Sequence, residues 1–187
     1  MRSLLVAVLP GVLPWLTFAQ EPPRAALPYR ADLIRAVRLY WGLDGPVAAM
    51  AAQVQQESAW QPDARSPYAH GLAQFTPATA EWIAGQDDAL AGADTGNPVW
   101  ALRALARYDR WLHDRVPGSS NACTRWWQTL RAYNGGLGYV RREAATGQPC
   151  EAFRAGWACK ENLAYPRLIL TRWQPRYAAW GPMVACQ

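Results

Sequence analysis

Acid-base cleavage of an unactivated C–O bond needs a carboxyl group that keeps its proton near neutral pH. One glutamate of this chain sits where such a group can arise. From Pro46 onward, Val47, Met50, Ala51 and Val54 recur at three- and four-residue spacing, so they share one face of a helix. The same spacing continues to Glu57 and Ser58. A carboxyl therefore falls at the edge of an apolar stripe, near the helix C-terminus. Apolar surroundings raise its pKa, and the negative end of the helix dipole pushes the same way. The helix alone leaves a plainer alternative open, with Glu57 turned to water or paired with an arginine.

Glycosidases that retain or invert use two carboxylates across the scissile bond. Asp63, Asp87, Asp88 and Asp94 lie in nearby loops, but none sits in a recognisable partner motif. Glu161 reads as a helix N-terminal charge. His70 reads as a solvent-facing loop residue, and His113 as part of a solvated face with Arg110, Asp114 and Arg115. Neither histidine has metal-ligand spacing to the four cysteines, and there is no Cys-x-x-Cys pair. No metal site is expected. An even cysteine count suggests two disulfides, and four cysteines allow three pairings. The expectation is Cys150–Cys159 as a local staple, with Cys123–Cys186 tying the C-terminal end to the body.

The elements that must hold Glu57 read as helices throughout. Residues Arg30–Trp41 carry a helical apolar pattern stopped by Gly42, and the Glu57 helix runs from Pro46 to about Ser58. Thr76 caps a helix to about Ala84, and Asn97-Pro98 opens a long one to about Val116. Further helices are expected over Asn121–Tyr133, Gly138–Ala145 and Asn162–Gln174, with Pro175 breaking or kinking the continuation to Trp180. Ile169, Trp173, Tyr177 and Trp180 keep helical spacing and read as core. Residues 59–75 and 85–97 read as long loops. No alternating strand run appears, so the class is all-α.

Four further segments bear on Glu57. Ala59-Trp60-Gln61-Pro62 follows it, then Gly71-Leu72-Ala73-Gln74-Phe75-Thr76-Pro77, then Ala132-Tyr133-Asn134-Gly135-Gly136, then Glu161-Asn162-Leu163-Ala164-Tyr165. In this order and at these separations, over about residues 45–170, they resemble the catalytic domain of the soluble lytic transglycosylase family. That is a lysozyme-like fold with a catalytic cleft, which cuts bacterial peptidoglycan. The size, the leader described below and the early position of Glu57 are also similar to small transglycosylases carried by conjugative elements. The resemblance implies that Glu57 is the single acid/base, with Ser58 completing a Glu-Ser pair. Gln74 stands beside the acid, Tyr133 and Asn134 hold an N-acetyl sugar, and Tyr165 faces the carboxylate. Ser66 and Phe75 complete the expected substrate contacts. Two features depart from the family pattern. Ala73 stands where methionine is usual, and the Ser66–Gly71 loop is one residue short, with Tyr68-Ala69 in place of Gly-Ala.

A lone glutamate implies cleavage between N-acetylmuramic acid and N-acetylglucosamine by internal attack, leaving 1,6-anhydromuramyl ends and requiring no cofactor. A hydrolytic muramidase and a non-catalytic glycan-binding scaffold are the alternatives.

The chain has 187 residues, with Lys+Arg 19 against Asp+Glu 14 and a formal charge of +5. That length suits one domain and a processed segment. A hydrophobic fraction of 51% excludes wholesale disorder. The basic residues are scattered and form no run, so nothing points to nucleic acid. Residues 1–19 have one charge at Arg2, an apolar stretch broken by Pro10 and Pro14, and a small-x-small end at Thr17-Phe18-Ala19. This is the pattern of a cleaved signal peptide, implying export to the periplasm and no membrane span afterwards. An extended lead-in over 20–30 and a catalytic domain over 31–187 follow. The expected partners are peptidoglycan strands and a secretion or conjugation machine, with the protein a monomer. Eleven tryptophans first suggest sugar stacking, but Trp60, Trp111 and Trp173 fall where core packing is expected. Tyr68, Phe75, Tyr133 and Tyr165 lie on the segments expected to wall the cleft. The mild positive charge suits an acidic wall polymer.

Overall fold

The computed structural model describes residues 21–118 and 121–186, so the expected leader at 1–19 lies outside the described residues. Among the described residues, seven α-helices follow one another: α1 (Arg30–Trp41), α2 (Val47–Ser58), α3 (Pro77–Ala84), α4 (Pro98–His113), α5 (Ala122–Gly135), α6 (Leu137–Thr146) and α7 (Gly156–Arg167). No strand is present among the described residues, only isolated bridges pairing His70 with Arg65 and with Phe75. The all-α expectation holds.

Capping chemistry explains where several helices begin. Thr76 accepts from the Thr79 N–H, Asn97 from Val99 and Trp100, and Asn121 from Thr124, each meeting donors that the first turn cannot bond internally. Helix α7 begins six residues before the expected Asn162, at Gly156. Its N-cap is Ala155, whose side chain makes no capping bond, so the sequence carries no start signal there. Glu161 is therefore mid-helix and not an N-terminal charge. Residues Arg24–Tyr29, expected as extended, form a 3₁₀ helix that contains Pro28 and buries Ala26. A short 3₁₀ turn accommodates the proline, and burial of Ala26 docks it.

Helix α2 is the axis of the fold. Every residue from Val47 to Val54 is buried, not just one stripe. Helix α1 packs on one side of it, and the tail after α7 wraps the other. That tail is a π-helical turn at Leu168–Trp173 followed by a 3₁₀ turn at Gln174–Trp180. The expected kink at Pro175 is instead this change of helix type. Ile169, Tyr177 and Trp180 are buried, while Trp173 is half-buried with the Arg172 and Arg176 guanidinium groups over its ring.

The disulfides are Cys123–Cys186 and Cys150–Cys159, the pairing expected. His113 departs from its solvated-face reading: it packs on Trp41 and Trp126. Burial first, then the nearby Arg125 charge, lowers its pKa to about 4.

Candidate active site

Four consecutive residues at the end of α2 are each tied. The Tyr177 hydroxyl donates to Gln55 Oε1 at 2.8 Å, and the Trp173 indole donates to Gln56 Oε1 at 2.8 Å. The Tyr165 hydroxyl donates to Glu57 Oε1. The Ser58 hydroxyl donates back to the Val54 carbonyl at 3.2 Å. The chain then leaves α2 through two left-handed residues, Ala59 (φ 50°) and Trp60 (φ 66°). This turn buries Trp60 among Tyr29, Tyr177 and Trp180, with its indole donating to the Tyr177 hydroxyl at 2.7 Å. Trp60 packs and does not face a cleft, as expected.

Glu57 lies half-buried at the junction of two cavities. One, of about 330 Å³, is walled by Gln74, Phe75, Tyr108, Tyr133, Asn134 and Glu161, among others. The other, of about 180 Å³, continues past Glu57 along Gln56, Asn134, Ala164 and Tyr165. At the opposite end the groove opens into a larger cavity of about 710 Å³ that shares Ser66, Tyr68 and Phe75. Together they make an elongated groove with Glu57 at its floor.

The expected site residues fall into three groups. Tyr165 bonds the Glu57 carboxyl, and Asn134 lines both cavities that contain Glu57. Ser66, Gln74, Phe75 and Tyr133 line the same groove. Ser58 does not join them: it is buried, and its hydroxyl is spent within α2. The roles of the second group differ in kind. Gln74, itself left-handed at φ 49°, donates to the Ala64 and Gly71 carbonyls at 3.1 and 2.8 Å and so locks the loop. Tyr133 donates to the Ala73 carbonyl at 2.6 Å, clasping that loop to α5. Asn134, expected just beyond its helix, is in the last turn of α5, with Gly136 as the cap. His70 is half-buried at the larger cavity, with Nδ1 3.4 Å from the Thr95 hydroxyl, and not a free loop residue.

Burial raises the Glu57 pKa to about 8; the Tyr165 hydrogen bond pulls it back and the Glu161 charge adds to the rise. Glu57 thus carries its proton at neutral pH and can donate it. Asp63, Asp87, Asp88 and Asp94 line neither cavity that contains Glu57. Of two further acids, Glu161 is read from sequence only as a helix N-terminal charge, and Asp109 is given no role. Glu161 stands in both cavities beside Glu57. Asp109 is fully buried on α4, and burial raises its pKa well above the usual range. A signal for Asp109 was present, since it follows Leu102 and Leu105 on the apolar stripe that continues to Leu112.

The transglycosylase SLT domain family model matches residues 43–151, which contain the acid, the loop and the α5 wall. The chain belongs to this family. Among curated relatives, the membrane-bound lytic murein transglycosylase F of Pasteurella multocida is 37% identical over 92 residues, 49% of this chain and 17% of the relative. The same-named protein of Maricaulis maris is 39% identical over 92 residues, 49% of this chain and 19% of the relative. The matches therefore span less than a fifth of those proteins. Among solved structures, the 70 kDa soluble lytic transglycosylase of Escherichia coli superposes with a TM-score of 0.62 at 22% identity, covering 82% of this chain and 25% of that one. Its complex with bulgecin A gives a TM-score of 0.64 at 22% identity, covering 87% and 26%. These likenesses show the shared lysozyme-like helical fold.

Proposed function

We propose that this SLT-family domain is a peptidoglycan lytic transglycosylase that uses Glu57 as its single acid/base. The observation that carries this reading is a carboxyl kept protonated by burial at the floor of a groove lined by polar and aromatic residues. Glu57 protonates the oxygen between N-acetylmuramic acid and N-acetylglucosamine, and the C1–O bond breaks. The sugar's own 2-acetamido group, met by Tyr133 and Asn134, stabilises the cationic centre. The Glu57 carboxylate then takes the proton of the muramyl 6-hydroxyl, whose oxygen closes on C1. A 1,6-anhydro end forms and no water is consumed. Gln74, Phe75 and Ser66 shape the wall against which the strand lies. Glu57→Gln should fold yet release no fragments from purified sacculi; wild-type release by that variant would overturn the reading.

Glu161 favours a second reading. A second carboxylate in the groove could orient water, which would make the protein a hydrolytic muramidase. Mass spectrometry of the released fragments separates the two: anhydro ends support internal attack and reducing ends support hydrolysis.

The leader pattern at 1–19 supports export to the periplasm. No described helix is long and apolar enough to cross a membrane. Wall opening for a conjugation or secretion machine rests on the resemblance to small transglycosylases of conjugative elements. Loss of DNA transfer in a Glu57→Gln strain tests it.

A further inference from the structure

Arg131 takes no part in the chemistry above, yet its side chain is only 7% exposed on α5, one turn before Asn134. Its guanidinium donates to both Glu143 carboxylate oxygens, at 2.9 and 2.7 Å, and its Nε donates to Asn162 Oδ1 at 3.0 Å. Asn162 of α7 is also buried. Its Nδ2 donates to the Arg131 carbonyl at 2.8 Å and to Asn134 Oδ1 at 3.0 Å. Asn134 Nδ2 in turn donates to Glu161 Oε1 at 3.1 Å.

A guanidinium can only donate, and a carboxylate can only accept. With Arg131 at one end and Glu161 at the other, the two amides between them have a single satisfied orientation. Asn162 must show its oxygen to Arg131, so its NH₂ faces Asn134. Asn134 must answer with its oxygen, so its NH₂ faces Glu161. We propose that Arg131 and Asn162 are positioning residues that fix the polarity of this relay and thereby hold the Asn134 amide and the Glu161 carboxylate in place beside Glu57. The inference rests on the role given to Glu57 and Asn134 under the proposed function.

The groups facing Glu57 show what the relay controls. Tyr165 donates to its carboxyl and favours ionisation. Tyr133 is half-buried and Asp109 fully buried, and burial raises the pKa of each. Glu161 is the negative group that opposes ionisation. Holding Glu161 there adds to the rise that burial produces. The backbone is fitted to the same end: a Cβ on Gly135 would stand 2.5 Å from Asn162 Nδ2 and 2.1 Å from Arg154 Nη1.

The discriminating variant is Asn162→Asp. It keeps the size and still accepts from Arg131, but it cannot donate to Asn134. The Asn134 amide must then turn, presenting its carbonyl to Glu161. The expected result is a lowered Tm, because the Arg131 carbonyl also loses its donor, kcat lower by roughly 10- to 100-fold, and an alkaline limb of the rate profile moved from its wild-type pH. A purely structural role would leave kcat and that limb unmoved. The second variant, Arg131→Met/Glu143→Leu, removes the buried ion pair as a unit and leaves no orphan charge. In both, ¹⁵N NMR of the side-chain amides should show the Asn134 NH₂ pair displaced from its wild-type position. Unchanged Asn134 resonances with unchanged kcat would overturn the proposal. The NMR readout does not depend on turnover. If the wild type released no fragments while the Asn134 resonances moved, the relay would stand and the proposed function would fail.

Discussion

The two walls of the groove are built by different means. The loop wall, residues 61–76, is held through backbone: left-handed Gly71 and Gln74, and side chains that donate to main-chain carbonyls. The helix wall, α5 to α7, is held through side chains, several of them buried: the Arg131–Glu143 pair, the two asparagines and both disulfides. A backbone-held wall depends on a few positions that accept special φ values. A side-chain-held wall depends on donors and acceptors matching in sequence order. The first tolerates surface substitution and fails at a glycine; the second fails wherever a polar partner is removed.

Breaking the disulfides should act on the helix wall and the C-terminal tail, leaving the loop wall in place. In the chain-entropy account, a loop of the 63-residue separation of Cys123–Cys186 contributes about 4 kcal/mol. The 9-residue Cys150–Cys159 loop contributes about 3 kcal/mol. Urea unfolding of Cys123→Ala/Cys186→Ala should therefore show the larger loss, with hydrogen exchange in residues 61–76 close to wild type. Gly71→Ala is the converse. A Cβ there would sit 2.0 Å from the Thr95 carbonyl, at φ +80°. Destabilisation of roughly 2–4 kcal/mol is expected, with faster exchange confined to the loop wall and a raised KM. Gln74→Ala removes two bonds to main-chain carbonyls and should cost about 1–2 kcal/mol, again with KM rising more than kcat falls. If kcat falls alone, Gln74 serves the chemistry and not the wall.

The last effect, a pH dependence, concerns the acid between the walls. The folded Glu57 pKa, about 8, lies above its ordinary value of 4.5. The folded state therefore holds a proton that the unfolded chain has lost, and stability declines as pH rises from about 4.5 through 8. Glu57→Gln should raise Tm by a few degrees at pH 9 and leave it unchanged below pH 4. Rates should likewise fall as pH rises through about 8, where the acid form is lost.

Legibility followed the same division. Apolar periodicity and caps at Thr76, Asn97 and Asn121 were readable because local spacing dictates them. So was the place of Glu57 at the end of an apolar stripe, though spacing alone left open a carboxyl turned to water or paired with an arginine. The motif glutamine, tyrosines and asparagine were reachable only through resemblance to a family. Arg131, Asn162 and Asp109 carry no role in the sequence reading, because a buried polar residue looks like a surface one until its partners on other helices are known. Ser58 was misplaced for the related reason that its hydroxyl is satisfied within its own helix. The start of α7 was missed because no cap marks it.

The left-handed turn at Ala59-Trp60 has a mechanical consequence. By delivering Trp60 into an aromatic box with Tyr29, Tyr177 and Trp180, it bolts the end of α2 from behind. Sliding or rotating the acid helix would require that box to open and the Gln55 and Gln56 tethers to break together. Glu57 is therefore a fixed point, like an anvil. Under the proposed mechanism, the approach of acid and glycosidic oxygen would come from the strand, through the seating and twisting of its sugar ring against walls that do not yield at that spot.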